Sequence, residues 1–312
     1  MKHNIIAIVG PTASGKTALS IHLAQELGAE IVSFDSMQVY RYMDIGTAKP
    51  TQEEMAGIPH HMIDIAEPSE DFSVSRYVNQ SDAIVEDILS RGKPVILVGG
   101  TGLYVDSLVA GREFAPFPET GLREKLTEKV AKEGIMPLYE ELCRIDPEAG
   151  TAIHPSNHKR VIRAMEVYLE TGKTISRHNQ ETREKPAKYA PLWIGLDYVN
   201  RDALYSRINR RVDQMFADGL VEEVRSLLAR GIPAEATAMQ AIGYKELVSY
   251  LQGASTEGEA KEAIALASRR YAKRQRTWFR RNEAVHWIEL PDEPTKEKIF
   301  SSARQILTEF SD

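Results

Sequence analysis

Gly10, Pro11, Thr12, Ala13, Ser14, Gly15, Lys16 and Thr17 follow the spacing Gly, four residues, Gly-Lys-Thr. That pattern builds a phosphate-binding loop. Its glycines permit backbone angles that a side chain forbids. Successive N–H groups then turn inward around an anionic oxygen cluster, and a following helix adds its own unpaired N–H groups. Lys16 supplies a point charge, and the Thr17 hydroxyl suits a Mg2+ ion bridging two phosphates. A di- or triphosphate is therefore the expected ligand, with its identity open. Asp35 could serve as a magnesium ligand, as a general base facing a nucleophile, or as a plain loop cap. Thr101, within Val98-Gly99-Gly100-Thr101-Gly102, offers a hydroxyl to a phosphate or an acceptor, or simply closes a turn. Arg207 and Arg211 lie four apart, on one face of a helix. Guanidinium forks match diphosphate oxygens, but a solvated basic face explains the same pair.

These residues need a scaffold, and the pattern around them supplies one. Apolar Ile5 to Val9 precede the loop, and Leu19, Leu23 and Leu27 follow at helical spacing up to Gly28. Residues 30 to 35 are expected as a second strand ending at Asp35. Residues 36 to 50 are read as a long functional loop, and 62 to 65 as a short strand. Ser73 is placed to cap a helix from 74 to about 90, and 94 to 98 form a continuous apolar strand of the kind found in covered parallel sheets. Strands alternating with helices predict an α/β fold with a doubly wound parallel sheet, in which ligands bind beyond the carboxyl ends of the strands. The phosphate loop, Asp35 and Thr101 all fall on that edge. Composition shifts near residues 112 to 121, and 122 to 183 read as wholly helical. The chain is accordingly divided into a core, 1–113 and 191–312, and a helical insert, 114–190. In the core, 191 to 198 are read as a strand, helices are expected at about 201–217, 220–230, 239–252 and 258–281, and 285–290 as the last strand.

The bulk properties narrow the class. The 312 residues are 42% hydrophobic, enough for a real core. Cys143 stands alone, which excludes a disulfide framework and fits a reducing compartment. The N-terminus is too short for a signal peptide, and no apolar run approaches the roughly 20 residues of a membrane span. A soluble, cytosolic protein is expected. Net charge is −6, yet residues 269 to 281 carry seven basic side chains and no acidic one. With Lys159, Arg160 and Arg163 on an insert helix, whose core side is assigned to Met165, Tyr168 and Leu169, this makes two basic patches suited to a polyanion. Tyr271 and Trp278 fit an apolar stripe of their helix better than a base-stacking platform. His60-His61 are adjacent and cannot converge on one ion. The strand at 94–98 ends in Gly-Gly-Thr where a P-loop NTPase would commonly carry an acidic magnesium ligand, and no guanine-reading Asn-Lys-x-Asp occurs.

Seven stretches, in order and across nearly the whole chain, resemble the bacterial tRNA isopentenyltransferase family, the tRNA dimethylallyltransferases. They are residues 10–17, 35–50, 60–65, 97–104, 159–168, 240–247 and 273–281. The resemblance implies a P-loop NTPase-like fold that holds dimethylallyl diphosphate rather than a nucleotide. It implies transfer of the dimethylallyl group, with Mg2+ assisting, to N6 of adenine 37 in the anticodon stem-loop of tRNAs reading codons that start with U. By the same resemblance Asp35 would be the general base, with Ser36, Met37 and Gln38 against the flipped-out nucleotide and Thr101 positioning acceptor or diphosphate. Lys16, Thr17 and Arg211 would stabilise the leaving diphosphate. Arg123, then Lys159, Arg160, Val161, Ile162 and Arg163, then Gln240, Ala241, Ile242, Gly243, Tyr244 and Lys245 would contact tRNA. The enzyme is expected to act as a monomer without a membrane partner. An adenylate isopentenyltransferase, a small-molecule kinase or a non-catalytic RNA-binding protein are the rivals. The kinase predicts phosphoryl transfer from ATP.

Overall fold

The computed structural model describes residues 4–112, 114, 120–184 and 186–310. In chain order the first elements are β1 (Ile5–Val9), α1 (Lys16–Leu27), β2 (Glu30–Ser33), α2 (Gln52–Met55), β3 (His60–His61), α3 (Val74–Ser90), β4 (Val95–Val98) and α4 (Gly102–Val109). The helices α5 (Leu122–Glu133), α6 (Met136–Ile145), α7 (Pro147–Ala152), α8 (His158–Thr171) and α9 (Ile175–Glu184) follow. The chain then continues through β5 (Leu192–Tyr198), α10 (Arg201–Ala217), α11 (Leu220–Ala229), α12 (Tyr244–Leu251), α13 (Glu257–Phe279), β6 (Val285–Leu290) and α14 (Lys296–Glu309). It folds as two compact units, 1–111 with 188–312, and 112–187.

The first unit is built on a six-stranded sheet of order β3-β2-β4-β1-β5-β6, with every pairing parallel. All five residues of β1 are buried, as a central strand covered on both faces requires. Ile6 and Ile8 pack with Leu19 and Leu23 of α1 and with Ile299, Ala303 and Leu307 of α14. The chain visits β2 and β3 on one side of β1, then crosses to β5 and β6 on the other. The loop after β1 and the turn after β4 therefore lie side by side at the carboxyl edge. No helix among the described residues is long and apolar enough to cross a membrane.

Two local expectations change, and one element is added. Residues 62–65 are not a strand: Met62 and Asp64 have φ of 63° and 55°, and the strand is the preceding His60–His61 pair. Asp64 turns out of line to meet Lys49 Nζ at 2.6 Å, a lysine buried between Asp44 and Asp64. The stretch 239–252 is broken: a 3-10 turn at Ala238–Gln240 precedes α12, and Gly243 between them has φ of 101°. Finally, α14 follows the last strand, capped by Thr295 and stacked through Phe300 on His22 of α1.

Glu30, at the start of β2, shows how a buried carboxylate is tolerated. Its side chain is 5% exposed and meets Arg91 at 2.5 and 2.9 Å, Lys93 at 2.9 Å and His61 at 2.9 Å. The Arg91 hydrogen bonds hold its carboxyl far below the usual range against the opposing effect of burial, with Lys93 and His61 adding to the pull. A depressed folded-state pKa contributes stability that is present above the unfolded carboxylate range and is lost as pH falls from there through the depressed folded-state pKa. Glu30→Gln should therefore cost on the order of 2 kcal/mol at neutral pH. It should also flatten the acid limb of the stability profile, read as urea midpoints from neutral pH downward.

The second unit, described by itself, has its own core: Leu126 of α5, Leu138 and Leu142 of α6, and Val161, Ile162 and Met165 of α8. The core side of α8 is thus set by Val161, Ile162 and Met165. Leu169, expected there, is 50% exposed.

Candidate active site

The phosphate loop closes the carboxyl end of β1. Gly10 has φ of 140°, and a Cβ there would run into the Leu196 carbonyl oxygen, so only glycine fits. Gly15 opens α1 in the left-handed region, φ 95°. Lys16 Nζ donates to the Pro11 carbonyl at 2.7 Å, curling its ammonium over the loop. Ser14 is 2% exposed, and its Oγ has no hydrogen-bond partner among the described residues. A buried hydroxyl without a partner is costly, and beside a phosphate loop the group that would satisfy it is an anion oxygen.

Two arginines of α10 complete the loop. Arg211 Nη1 donates to Thr12 Oγ1 at 3.3 Å, and Arg207 Nε to the Ala13 carbonyl at 3.2 Å. The solvated-face explanation thus fails for both. Burial, with the neighbouring Arg211 charge, pushes the Lys16 ammonium down to about 7, against a smaller pull upward from Asp35. An anion restores the charged form. Sulfate keeps its charge in this range and is the suitable probe. Its affinity should be flat below pH 7 and weaken above it by up to about tenfold per pH unit. A profile unchanged to pH 9 would show that Lys16 is charged throughout.

Asp35 lies two residues beyond β2, half-buried. Its Oδ1 accepts from Met37 N at 2.9 Å and Gln38 N at 3.4 Å. The loop-cap role is therefore real, and it leaves Oδ2 without a hydrogen-bond partner among the described residues. Thr101 joins the two edges of the site. Its Oγ1 accepts from Ser36 N at 3.0 Å and lies 3.2 Å from Ser36 Oγ. Gln275, which the sequence does not single out, is 4% exposed on the basic helix α13. Its Oε1 accepts from Thr12 N at 2.8 Å, and its Nε2 donates to the Gly100 carbonyl at 3.1 Å. It stitches the phosphate loop to the Gly-Gly-Thr turn.

Three cavities meet here, and Arg211 lines all of them. One, of about 1090 Å³, opens over Ser14 to Thr17 with Arg207 and Arg210. A small chamber of about 90 Å³ lies among Lys16, Thr17, Asp35 and Gln275. The third, about 300 Å³, is walled by Asp35, Ser36 and Met37 on one side and by Gln240, Ala241, Ile242 and Lys245 on the other. The small chamber beside Lys16 and Thr17 and the third cavity thus share Asp35 and Arg211, and Arg211 extends to the cavity over the loop, which is the arrangement a two-substrate transfer needs.

The remaining candidates sort by exposure. Val161, Ile162 and Tyr244 are buried, so their side chains pack the fold, whereas Ala241, 7% exposed, lines the third cavity. Lys159 and Arg160 are exposed on α8. Arg123 and Arg163, in the same unit, both bond Glu166, at 2.7 and 2.6 Å. No cluster of three or more His, Cys, Asp or Glu able to hold a metal occurs among the described residues.

The family model described as IPP transferase matches residues 38–282. The chain belongs to the IPP transferase family. It is 50% identical over 301 residues to the tRNA dimethylallyltransferase of Caldanaerobacter subterraneus subsp. tengcongensis, covering 96% of both chains. It is 46% identical to that of Geobacter sulfurreducens, covering 93% of both. Among solved structures, it matches the full-length tRNA isopentenylpyrophosphate transferase of Bacillus halodurans with a TM-score of 0.72 and 45% identity, covering 98% of this chain and 97% of that one. A eukaryotic dimethylallyltransferase acting on tRNA matches with a TM-score of 0.83 and 29% identity, covering 98% of this chain and 79% of that one. The α/β, P-loop NTPase-like architecture of this transferase is thereby accounted for over its whole length.

Proposed function

We infer that this IPP transferase moves a dimethylallyl group from dimethylallyl diphosphate to N6 of adenine 37 in tRNAs reading codons that start with U. The observation that carries this reading is the junction, at Asp35 and Arg211, of the small chamber beside Lys16 and Thr17 with the third cavity. The diphosphate sits on the loop amides with Lys16 and Arg211. The adenine enters from the Ser36–Met37 side, extruded from its stack as a base must be to reach such a site. An exocyclic amine is a weak nucleophile. As its nitrogen bonds the allylic carbon, the C–O bond to diphosphate breaks, Asp35 takes the N6 proton, and the diphosphate leaves with both electrons of that bond. Charge grows on the leaving oxygens, which Lys16, Arg211 and the loop N–H groups would stabilise.

Mg2+ fits this donor set. The Thr17 hydroxyl, exposed at the loop, would supply one oxygen to such an ion. When bound it would neutralise leaving-group charge. The exposed Arg123, Lys159, Arg160, Gln240 and Lys245 are the tRNA-facing residues of this reading. We place the enzyme in the cytoplasm, acting as a monomer. The test is incubation with unmodified tRNA, labelled dimethylallyl diphosphate and Mg2+. Label recovered at the adenosine supports the reading. Unlabelled tRNA, or phosphoryl transfer from ATP, overturns it.

A further inference from the structure

One carboxylate outside the transfer machinery ties two walls of the acceptor chamber together. Glu223, on α11, accepts from three successive backbone amides: Asp44 N at 2.8 Å and Ile45 N at 2.8 Å through Oε2, and Gly46 N at 3.1 Å through Oε1. Oε1 also accepts from the Tyr244 hydroxyl at 2.6 Å. Three consecutive N–H groups form an anion-binding concavity, and here the protein fills it with its own side chain. Gly46 is seated on the Tyr244 ring with no room for a Cβ. Burial, with Glu223 nearby, pushes the Tyr244 hydroxyl well above its usual range, so it remains a donor.

The link continues inward. Gln38 Nε2 donates to the Thr47 and Ala48 carbonyls at 3.2 and 3.3 Å, Ser33 Oγ donates to Gln38 Oε1 at 3.2 Å, and Gln38 N reaches Asp35 Oδ1. Hydrogen bonds thus run from Glu223 through residues 44–48 to Asp35. The same carboxylate holds Tyr244, which opens the helix behind Gln240–Ile242. We propose that Glu223 is a positioning residue: it sets the spacing between the Asp35–Met37 wall and the Gln240–Lys245 wall, and so the fit of the acceptor nucleotide. The proposal rests on the transferase reading for its kinetic consequence, and on the hydrogen bonds alone for its structural one.

Glutamine cannot replace this glutamate. It offers one acceptor oxygen and turns an N–H₂ toward the amide donors, while Tyr244→Phe removes one donor and keeps the ring that packs Gly46. The experiment measures kcat and KM for tRNA, the Kd of inorganic pyrophosphate, and hydrogen exchange across residues 37–48. Glu223→Gln should lower kcat/KM for tRNA about tenfold or more, since each interaction of this kind contributes on that scale, weaken pyrophosphate binding much less than that, and speed exchange at residues 44–46. Tyr244→Phe should move the same quantities less, and the double variant should lose less than the product of the two, as coupled sites do. Unchanged kcat/KM, or a parallel loss of pyrophosphate affinity, overturns the proposal. Exchange is read without turnover, so inactivity of the wild-type chain on tRNA would count against the transferase reading alone.

Discussion

Asp35→Asn should lower turnover by about 10²–10⁴-fold, the range typical of a general base, while its KM for tRNA stays near the wild-type value. Asp35→Ala should lose as much turnover and raise KM as well. The two variants separate the jobs that one carboxylate does here. Oδ1 holds the amides of Met37 and Gln38 and so shapes the loop, and asparagine keeps an acceptor oxygen for that purpose. Neither asparagine nor alanine takes up the N6 proton. Steady-state kinetics with unmodified tRNA decide the matter. Equal losses of turnover and affinity in Asp35→Asn would assign the residue to the loop and not to the chemistry.

Arg211→Gln is the second substitution with a large expected effect, on the order of 10²–10³ in kcat, the scale for removing one preorganised donor from a developing oxyanion. Its reach across all three cavities and its contact with Thr12 put the charge beside the phosphate loop, where the proposed leaving diphosphate would sit. Removing it also relieves the Lys16 ammonium of a like charge. Lys16 should then titrate higher, and the fall of sulfate affinity with pH should begin later. A kcat loss without that displacement would mean that the two cations do not face each other as described.

The phosphate loop and the parallel sheet were legible because each is a local pattern: a fixed glycine spacing, and apolar runs between helices. Asp35 and Thr101 were legible by position, at strand ends on the ligand edge. Chemistry carried by pairings distant in sequence was not. Arg207 and Arg211 show only helical spacing until β5 and α10 bring them onto the loop. Gln275 sits in a run of arginines that draws attention to charge, yet its contacts are with Thr12 and Gly100. Lys49 resembles any loop lysine, although it is buried between two aspartates that come from either side of it in the chain. Val161 and Ile162 lie in a segment the motif marks, yet both are buried: within a helix only every third or fourth side chain can face a partner.

Asp197, 1% exposed on β5, has a consequence for polyelectrolyte behaviour. It meets Arg276 at 2.9 Å and Arg280 at 2.7 Å, so its single negative charge, shared by two arginines, offsets one of the seven positive charges in residues 269–281. A charge already offset this way releases no condensed counterion when RNA arrives. At most six of the seven remain to do so, and at about 0.7 per contact for a single strand this helix would add no more than roughly 4 to the slope of log affinity against log salt. Binding of tRNA should therefore tolerate salt better than the charge of that segment implies. Arg276→Ala, at a half-buried side chain tied to Asp197, should change the slope less than Lys273→Ala, at an exposed one.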